Sequence, residues 1–370
     1  MDNRLVVGMG LGGIGGFNAH DAGVLAAAHE CGVWPDVITC TSGAIFWTHQ
    51  FLTNPDGIQA EVRRQAEAVS ESNALLVAML GDPGVFQPAY IPYWTRWLRP
   101  PTGSPFRDLL DRLFPAQIYE PTRPKQFYAD IARAFSDTPI AIMFNAYSIE
   151  NGRELVFCNQ PAFDFLHRSP GQVRPHVIPG EDMSTEYRPI DAEGVRASLW
   201  LTLYGFSNRY EGKRAIDGAY HRQVIMSELS DCDIIYAIKP QASAWHARPP
   251  GNYFEVQDFN TEMWFNTSFA AEVAGLWAAR RDPTRDPIRI EPITMHKPLG
   301  YFNYFVEKFG RYTEGYEQAK RVFERDLVAT AKGRTNEQSG RETRPKSESR
   351  TTSGESTRLH DGSAKSARGR

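Results

Sequence analysis

The chain has 370 residues, 41% hydrophobic and 12% aromatic, ample for a large core, and its net charge of −3 supplies no global basic field for nucleic acid. Its four cysteines (Cys31, Cys40, Cys158, Cys232) are scattered with no Cys-x-x-Cys pair, which argues for reduced thiols in a cytoplasmic protein over a disulfide frame or zinc site. No stretch reaches the ~18 apolar residues of a membrane span, so any membrane contact would be peripheral.

The opening MDNRLVVGMGLGG has a short apolar run that glycine breaks at once, so it reads as a first strand over 4–8 and not as a signal peptide. A glycine-rich loop follows, then a helix over 19–31, which Gly32 stops. A turn at 33–36 leads to a strand over 36–40 and a helix over 43–52, ended by Asn54-Pro55-Asp56-Gly57. This alternation predicts an α/β fold with a mostly parallel sheet and helices on its faces. Residues 58–80 read as helical, 84–106 are rich in proline and aromatics, and helical period returns over 106–114. Strands are expected at 139–147 and 155–158, joined by a hairpin turn at Glu150-Asn151-Gly152-Arg153, and again at 234–238. Closing helices are expected over 260–280 and 302–328. From Ala331 onward almost no apolar residue exceeds alanine in size, and ten Lys/Arg face five Asp/Glu. Such a segment cannot offset its ordering entropy, so 329–370 is expected to be a disordered polar tail.

Three places carry chemistry-bearing residues. The first is Gly10-Leu11-Gly12-Gly13-Ile14-Gly15-Gly16, between a strand and a helix. Its backbone N–H groups suit a dinucleotide pyrophosphate or the oxyanion of an acyl-transfer intermediate, and a plain tight turn would look the same. The dinucleotide reading needs an acid at the end of the next strand. That strand ends in Thr39-Cys40-Thr41-Ser42, with Asp36 at its start. The second is Cys40-Thr41-Ser42-Gly43-Ala44, a nucleophile-elbow frame whose outer glycines are replaced by small Cys and Ala; Ser42 is either a nucleophile or a helix cap. The third is Asp217-Gly218-Ala219, on its own no more than a turn.

Taken together and in this order, the glycine loop, the elbow Ser42 and the late Asp217-Gly218-Ala219 resemble the patatin-like phospholipases. Gly32-Val33-Trp34-Pro35-Asp36-Val37-Ile38 resembles that family's lead into the nucleophile strand. Val195-Arg196-Ala197-Ser198 resembles the segment before its catalytic Asp, and Phe106-Arg107-Asp108-Leu109-Leu110 its mid-domain helix. The likeness covers roughly 4–240. It implies a three-layer α/β/α domain over 1–328, with a helical extension at 245–328. It also implies a lipid acyl hydrolase of phospholipase A or esterase type that uses no cofactor and no metal. By the resemblance Ser42 is the nucleophile and Asp217 its base. Gly12, Gly13, Gly15 and Gly16 form the oxyanion hole, and Cys40, Thr41, Gly43 and Ala44 the elbow. The substrate implied is a lipid or other acyl ester, and the partner a membrane surface, with no nucleic acid. Three departures stand out: no Arg follows the loop (Gly15-Gly16-Phe17-Asn18), Cys40 replaces the first elbow glycine, and Tyr220-His221-Arg222-Gln223-Val224 stands where the family has Asn-Pro. An inactive relative that binds lipid or a partner is the competing reading. A hydrolase triad would need His246 or His296. His20, His29 and His221 read as ordinary core or surface residues, with His221, four positions after Asp217, a secondary candidate to modulate it. The aromatic stretch 86–97 suits either a lipid contact or a domain seam.

Overall fold

The first strand, β1 (Val7–Leu11), alternates side chains between two faces, as any strand must. Met9 and Leu11 enter one buried cluster. Gly8, Gly10 and Gly12 face the other way, against the segment 224–232. A Cβ on Gly8 would come within 2.7 Å of Cys232 Sγ, one on Gly10 within 2.9 Å of Met226 Sδ, and one on Gly12 within 2.9 Å of Val224 Cγ2. The alternating glycines therefore let another part of the chain lie directly on the strand. The expected strand over 4–8 is displaced, because Gly10 and Leu11, at the start of the loop, pair as strand residues.

The computed structural model describes residues 4–13, 18–70, 81–82, 84–113, 115–175, 184–245, 248–279, 288–296 and 308–342. The chain divides into two units, Met1–Arg325 and Asp326–Arg370, and the fold below is that of the first. After β1 come α1 (Ala19–Glu30), β2 (Val37–Cys40) and α2 (Ala44–Thr53), close to the expected spans. The later strands are β3 (Phe86–Pro88), β4 (Tyr119–Pro121), β5 (Ala141–Ser148), β6 (Arg153–Cys158), β7 (Val173–Pro175) and β8 (Ser184–Pro189). They are followed by β9 (Arg209–Tyr210), β10 (Lys213–Asp217), β11 (Ile234–Ala242) and β12 (Arg289–Met295).

The main sheet runs β12-β11-β1-β2-β5-β6-β8-β7, with β10 paired to β5 and β9 to β10, while β3 and β4 form a separate pair. Its centre, β12 to β5, is parallel. Beyond β5 it is mixed: the tight turn at 149–152 folds β6 back antiparallel on β5, β8 pairs parallel to β6, and β7 antiparallel to β8. Helices cover both faces. α1, α2 and the helix Lys125–Asp137 pack on the Met9/Leu11 side through Leu25, Trp47, Phe51 and Phe135. The helix Tyr253–Ala279 packs on the glycine side through Phe269, Val273 and Leu276. This is the expected α/β architecture with a multi-stranded sheet between helical layers.

Several expectations shift. The helix expected over 58–80 is seen as Ile58–Ser70, and 71–80 lie outside the described residues. That over 260–280 begins earlier, as Tyr253–Ala279. The last helix is Lys308–Glu342, so it extends into the stretch whose composition reads as disordered; 343–370 lie outside the described residues. Among the described residues no helix is long and apolar enough to cross a membrane.

Candidate active site

Ser42 sits between the end of β2 and the start of α2, at φ 54°. A non-glycine residue in the left-handed region costs roughly 1–3 kcal/mol, which surrounding structure must enforce. Here the Thr41 N–H is tied to the Leu11 carbonyl (3.2 Å), and the Thr41 and Ser42 carbonyls accept the first helical bonds from Ala44 and Ile45. The Ser42 hydroxyl does not cap the helix, whose N-cap is Gly43 without a side-chain cap bond. It donates instead to Asp217 Oδ2. Cys40 and Ala44 are fully buried, so small size is what the elbow requires of them. Burial pushes the Cys40 thiol up to about 12, which leaves it un-ionised.

Asp217 ends β10, in register with Ala146 of β5, and its N–H donates to the Trp200 carbonyl (2.9 Å). Its Oδ1 accepts the Ala219 N–H at 2.9 Å and its Oδ2 the Ser42 hydroxyl, so one carboxylate is fixed by two donors 175 and 2 residues away. Burial raises this carboxyl to about 7, even though both hydrogen bonds pull it down. It is therefore a base near neutrality, the range in which general-base catalysis works best. Gly218 must be glycine: a Cβ there would lie 2.3 Å from the Asn145 side chain.

The glycine loop reaches the same place. A Cβ on Gly13 would sit 2.6 Å from both Ser42 Cβ and the Thr41 carbonyl oxygen. Of the glycines expected to form the oxyanion hole, two have engaged N–H groups. The Gly12 N–H donates to Ile238 O (2.9 Å) and the Gly13 N–H to Gln223 O (3.1 Å), so both are occupied by backbone carbonyls. Gly15 and Gly16 lie outside the described residues. The N–H of Gly43, the residue after Ser42, has no hydrogen-bond partner among the described residues, and that position commonly supplies an oxyanion donor.

Sequence reasoning missed the residues that hold this arrangement. Asn145 Nδ2 donates to the Arg222 carbonyl (3.1 Å) and to Glu154 (2.8 Å). Gln223 clamps Gly13 from both sides, since its Nε2 also donates to Gly13 O at 3.3 Å. The stretch Tyr220–Val224, conspicuous as a departure, is thus the strap between the Asp217 turn and the glycine loop. Asp36, weighed as a ribose ligand, bonds Arg4 and the Val7 N–H at the opposite end of the sheet. His20 is buried, and burial lowers it to about 3. His29 bonds Asp56. His221 stacks on Tyr147 with ring centroids 5.1 Å apart. His296 is exposed and bonds Glu314 and Gln318, while both carboxylate oxygens of Asp217 are engaged by Ser42 and Ala219; His246 lies outside the described residues.

A narrow cavity of about 60 Å³ opens at Ser42 and Gly43. Phe46, Val85, Phe127, Leu199 and Leu201 make its apolar walls; Gln65, Arg123, Tyr128 and Tyr204 supply polar atoms.

No family model matches the chain, and no curated protein does. Among solved structures, human GIVD cytosolic phospholipase A2 aligns at 15% identity and a TM-score of 0.40, over 88% of this chain and 60% of that one. The same enzyme with methyl gamma-linolenyl fluorophosphonate and terbium chloride aligns at 15% and 0.38, over 88% and 59%. VipD from Legionella pneumophila aligns at 11% and 0.32, over 87% and 67%. The chain thus spans about three fifths of the length of the phospholipase A2 structures it matches.

Proposed function

We propose that this chain is a serine acyl hydrolase that cleaves carboxylic esters of lipids through a Ser42–Asp217 dyad, as its resemblance to the patatin-like phospholipases implies. The observation that carries this reading is a single one: a serine held at positive φ at a strand–helix turn, with its hydroxyl on a buried carboxylate. In this mechanism Asp217 takes the hydroxyl proton as Ser42 Oγ attacks the ester carbonyl. The Gly43 N–H holds the oxyanion, with Gly15 and Gly16 as the further donors that the resemblance implies. Asp217 then protonates the departing alcohol, leaving an acyl-enzyme. It next deprotonates a water that attacks the acyl carbonyl and returns the proton to Ser42. The apolar walls of the cavity take the acyl chain.

The test is a fluorophosphonate probe with the adduct mapped by mass spectrometry. Wild type labels at Ser42, and Ser42→Ala does not label. A folded wild-type protein that stays unlabelled, or labels elsewhere, favours the inactive lipid-binding reading instead.

Peripheral contact with a lipid surface belongs to the same reading. The helix Pro105–Leu113 has no buried residue, and Phe106, Leu109, Leu110 and Leu113 recur on one face at helical spacing. Ile91, Trp94 and Leu98 are exposed nearby in sequence, at 77%, 66% and 83%. Trp and Leu at such density suit the boundary between headgroup and acyl chain. Changing Ile91, Trp94, Leu98 and Phe106 together to Ser is expected to abolish co-sedimentation with phospholipid vesicles while turnover of a soluble ester persists. Undiminished vesicle binding would place the contact elsewhere or nowhere.

A further inference from the structure

We propose that Arg123 makes the Ser42 cavity selective for acyl esters that carry an anionic group, a phosphate or a carboxylate, within reach of the scissile carbonyl. This rests on the hydrolase reading above, but the site is built from different residues.

Arg123 is the only charged side chain among the described residues that line the cavity. It is half-buried, and its guanidinium lies 4.7 Å from the centre of the Phe127 ring and 5.4 Å from that of Phe46. Rings so placed hold the guanidinium by cation–π attraction without using its N–H groups. Arg123 has no hydrogen bond and no ion pair with any described residue. That is unusual for a group with five donors in a partly desolvated site.

The carboxylates that act on it electrostatically, Glu61 and Asp82, are already committed. Glu61 accepts two hydrogen bonds from Arg64, at 2.6 and 2.8 Å, and one from Gln65 at 2.8 Å. Asp82 is paired with the buried Lys308 ammonium at 2.9 Å. Arg64 and Lys308 thus neutralise the acids around Arg123. Its own charge remains for an incoming ligand, and a planar fork of donors fits phosphate or carboxylate oxygens bidentately. A structural arginine would spend those donors on carbonyls or carboxylates of its own chain, as Arg222 does with Glu154 and Glu228. The glycine loop offers no cation in its place, since Gly15-Gly16-Phe17-Asn18 contains none.

Two pairs of soluble esters test this. Dibutyryl phosphatidic acid is compared with neutral dibutyrylglycerol, and 4-nitrophenyl hydrogen glutarate with neutral 4-nitrophenyl butyrate. Wild type is expected to show a higher kcat/KM for the anionic member of at least one pair. The pair that responds tells a phosphate from a carboxylate. Arg123→Met should reduce that anionic-to-neutral ratio about 10- to 100-fold, as loss of a charge-assisted pair does, chiefly through KM. Arg123→Lys, which keeps the charge without the fork, should fall between, and thermal melts of both variants check folding. A wild type without anionic preference in either pair, or an unchanged ratio in Arg123→Met, overturns the proposal.

A second readout separates it from the hydrolase reading. Calorimetric binding of dibutyryl phosphatidic acid and of sodium butyrate to Ser42→Ala protein should weaken for the preferred anion when Arg123→Met is added. Binding that depends on Arg123, in a protein whose wild type turns over no ester, would sink the hydrolase and leave the anion site standing. Turnover without any Arg123 dependence would do the reverse.

Discussion

Replacing Asp217 with Asn is expected to lower kcat/KM for acyl esters by roughly 10⁴- to 10⁶-fold, the range seen when a nucleophile loses its base. The amide keeps the shape of the side chain and an oxygen for the Ala219 N–H, but it cannot accept the proton of Ser42. The effect should lie in chemistry and not in folding, for an electrostatic reason. The folded carboxyl, at about 7, stands above its ordinary value of 3.8, so its ionised form is penalised in the native state. Between those two values the unfolded chain has lost the proton that the native state still holds, and native stability falls as pH rises through that window. An uncharged Asn escapes this cost, so the variant should melt no lower than wild type at pH 8. The same value sets the activity profile. Only ionised Asp217 is a base, so wild-type kcat/KM should climb with pH and level off above a midpoint near 7. A flat profile from pH 5 to 8, or an Asp217→Asn variant with most of its activity, would remove Asp217 from the mechanism.

Arg222→Met should cost about 3–5 kcal/mol of stability, because it strips the cation from a buried ionic cluster and leaves its acids unpaired. Arg222 contacts Glu154 at 2.9 Å, Glu228 at 2.9 Å and Glu272 at 3.4 Å, and all four are largely buried. Burial alone would raise Glu228, yet the charge and hydrogen bonds of Arg222 outweigh it and hold that carboxyl down to about 2. Glu272 goes the other way: burial lifts it, against the pull of Arg222. A folded-state value below the ordinary one means that Glu228 contributes stability above its unfolded value of about 4.5, lost as pH falls toward about 2. Without Arg222 the buried carboxylates take up protons more readily. The deficit measured by urea unfolding should therefore be larger at pH 8 than at pH 5. Activity should fall with it, since the Arg222 N–H bonds Gly218 O at 2.8 Å and the next residue clamps Gly13. A loss under about 1 kcal/mol, or a deficit that ignores pH, would mean that the cluster is not held together by this charge.

The cluster also marks the limit of what sequence shows. Its members lie 68, 6 and 50 residues from Arg222, and no periodicity links them. Hydrophobic pattern and glycine punctuation locate β1, α1, β2 and α2 within a few residues, because each depends on neighbours a few positions away. The same signals miss β3, β4, β7 to β10 and β12, most of them short or paired at an edge, where the partner strand and not the segment's own pattern decides the outcome. They also overextend the glycine loop: Gly10 pairs as part of β1 because β2 and β11 flank it, which the segment itself does not encode.

By itself the sequence determined the α/β class and the strand–turn–helix frame around Ser42 with its small flanking residues. These are matters of local backbone geometry and steric volume, written in adjacent residues. Only the tertiary structure decided that the Ser42 hydroxyl meets Asp217 and does not cap its helix. It likewise decided that Gly12 and Gly13 spend their N–H groups on Ile238 and Gln223, and that Arg123 meets no hydrogen-bond or ion-pair partner among the described residues. Each depends on what burial leaves beside a polar group, and a polar group's chemistry follows from those neighbours and not from its position in the chain.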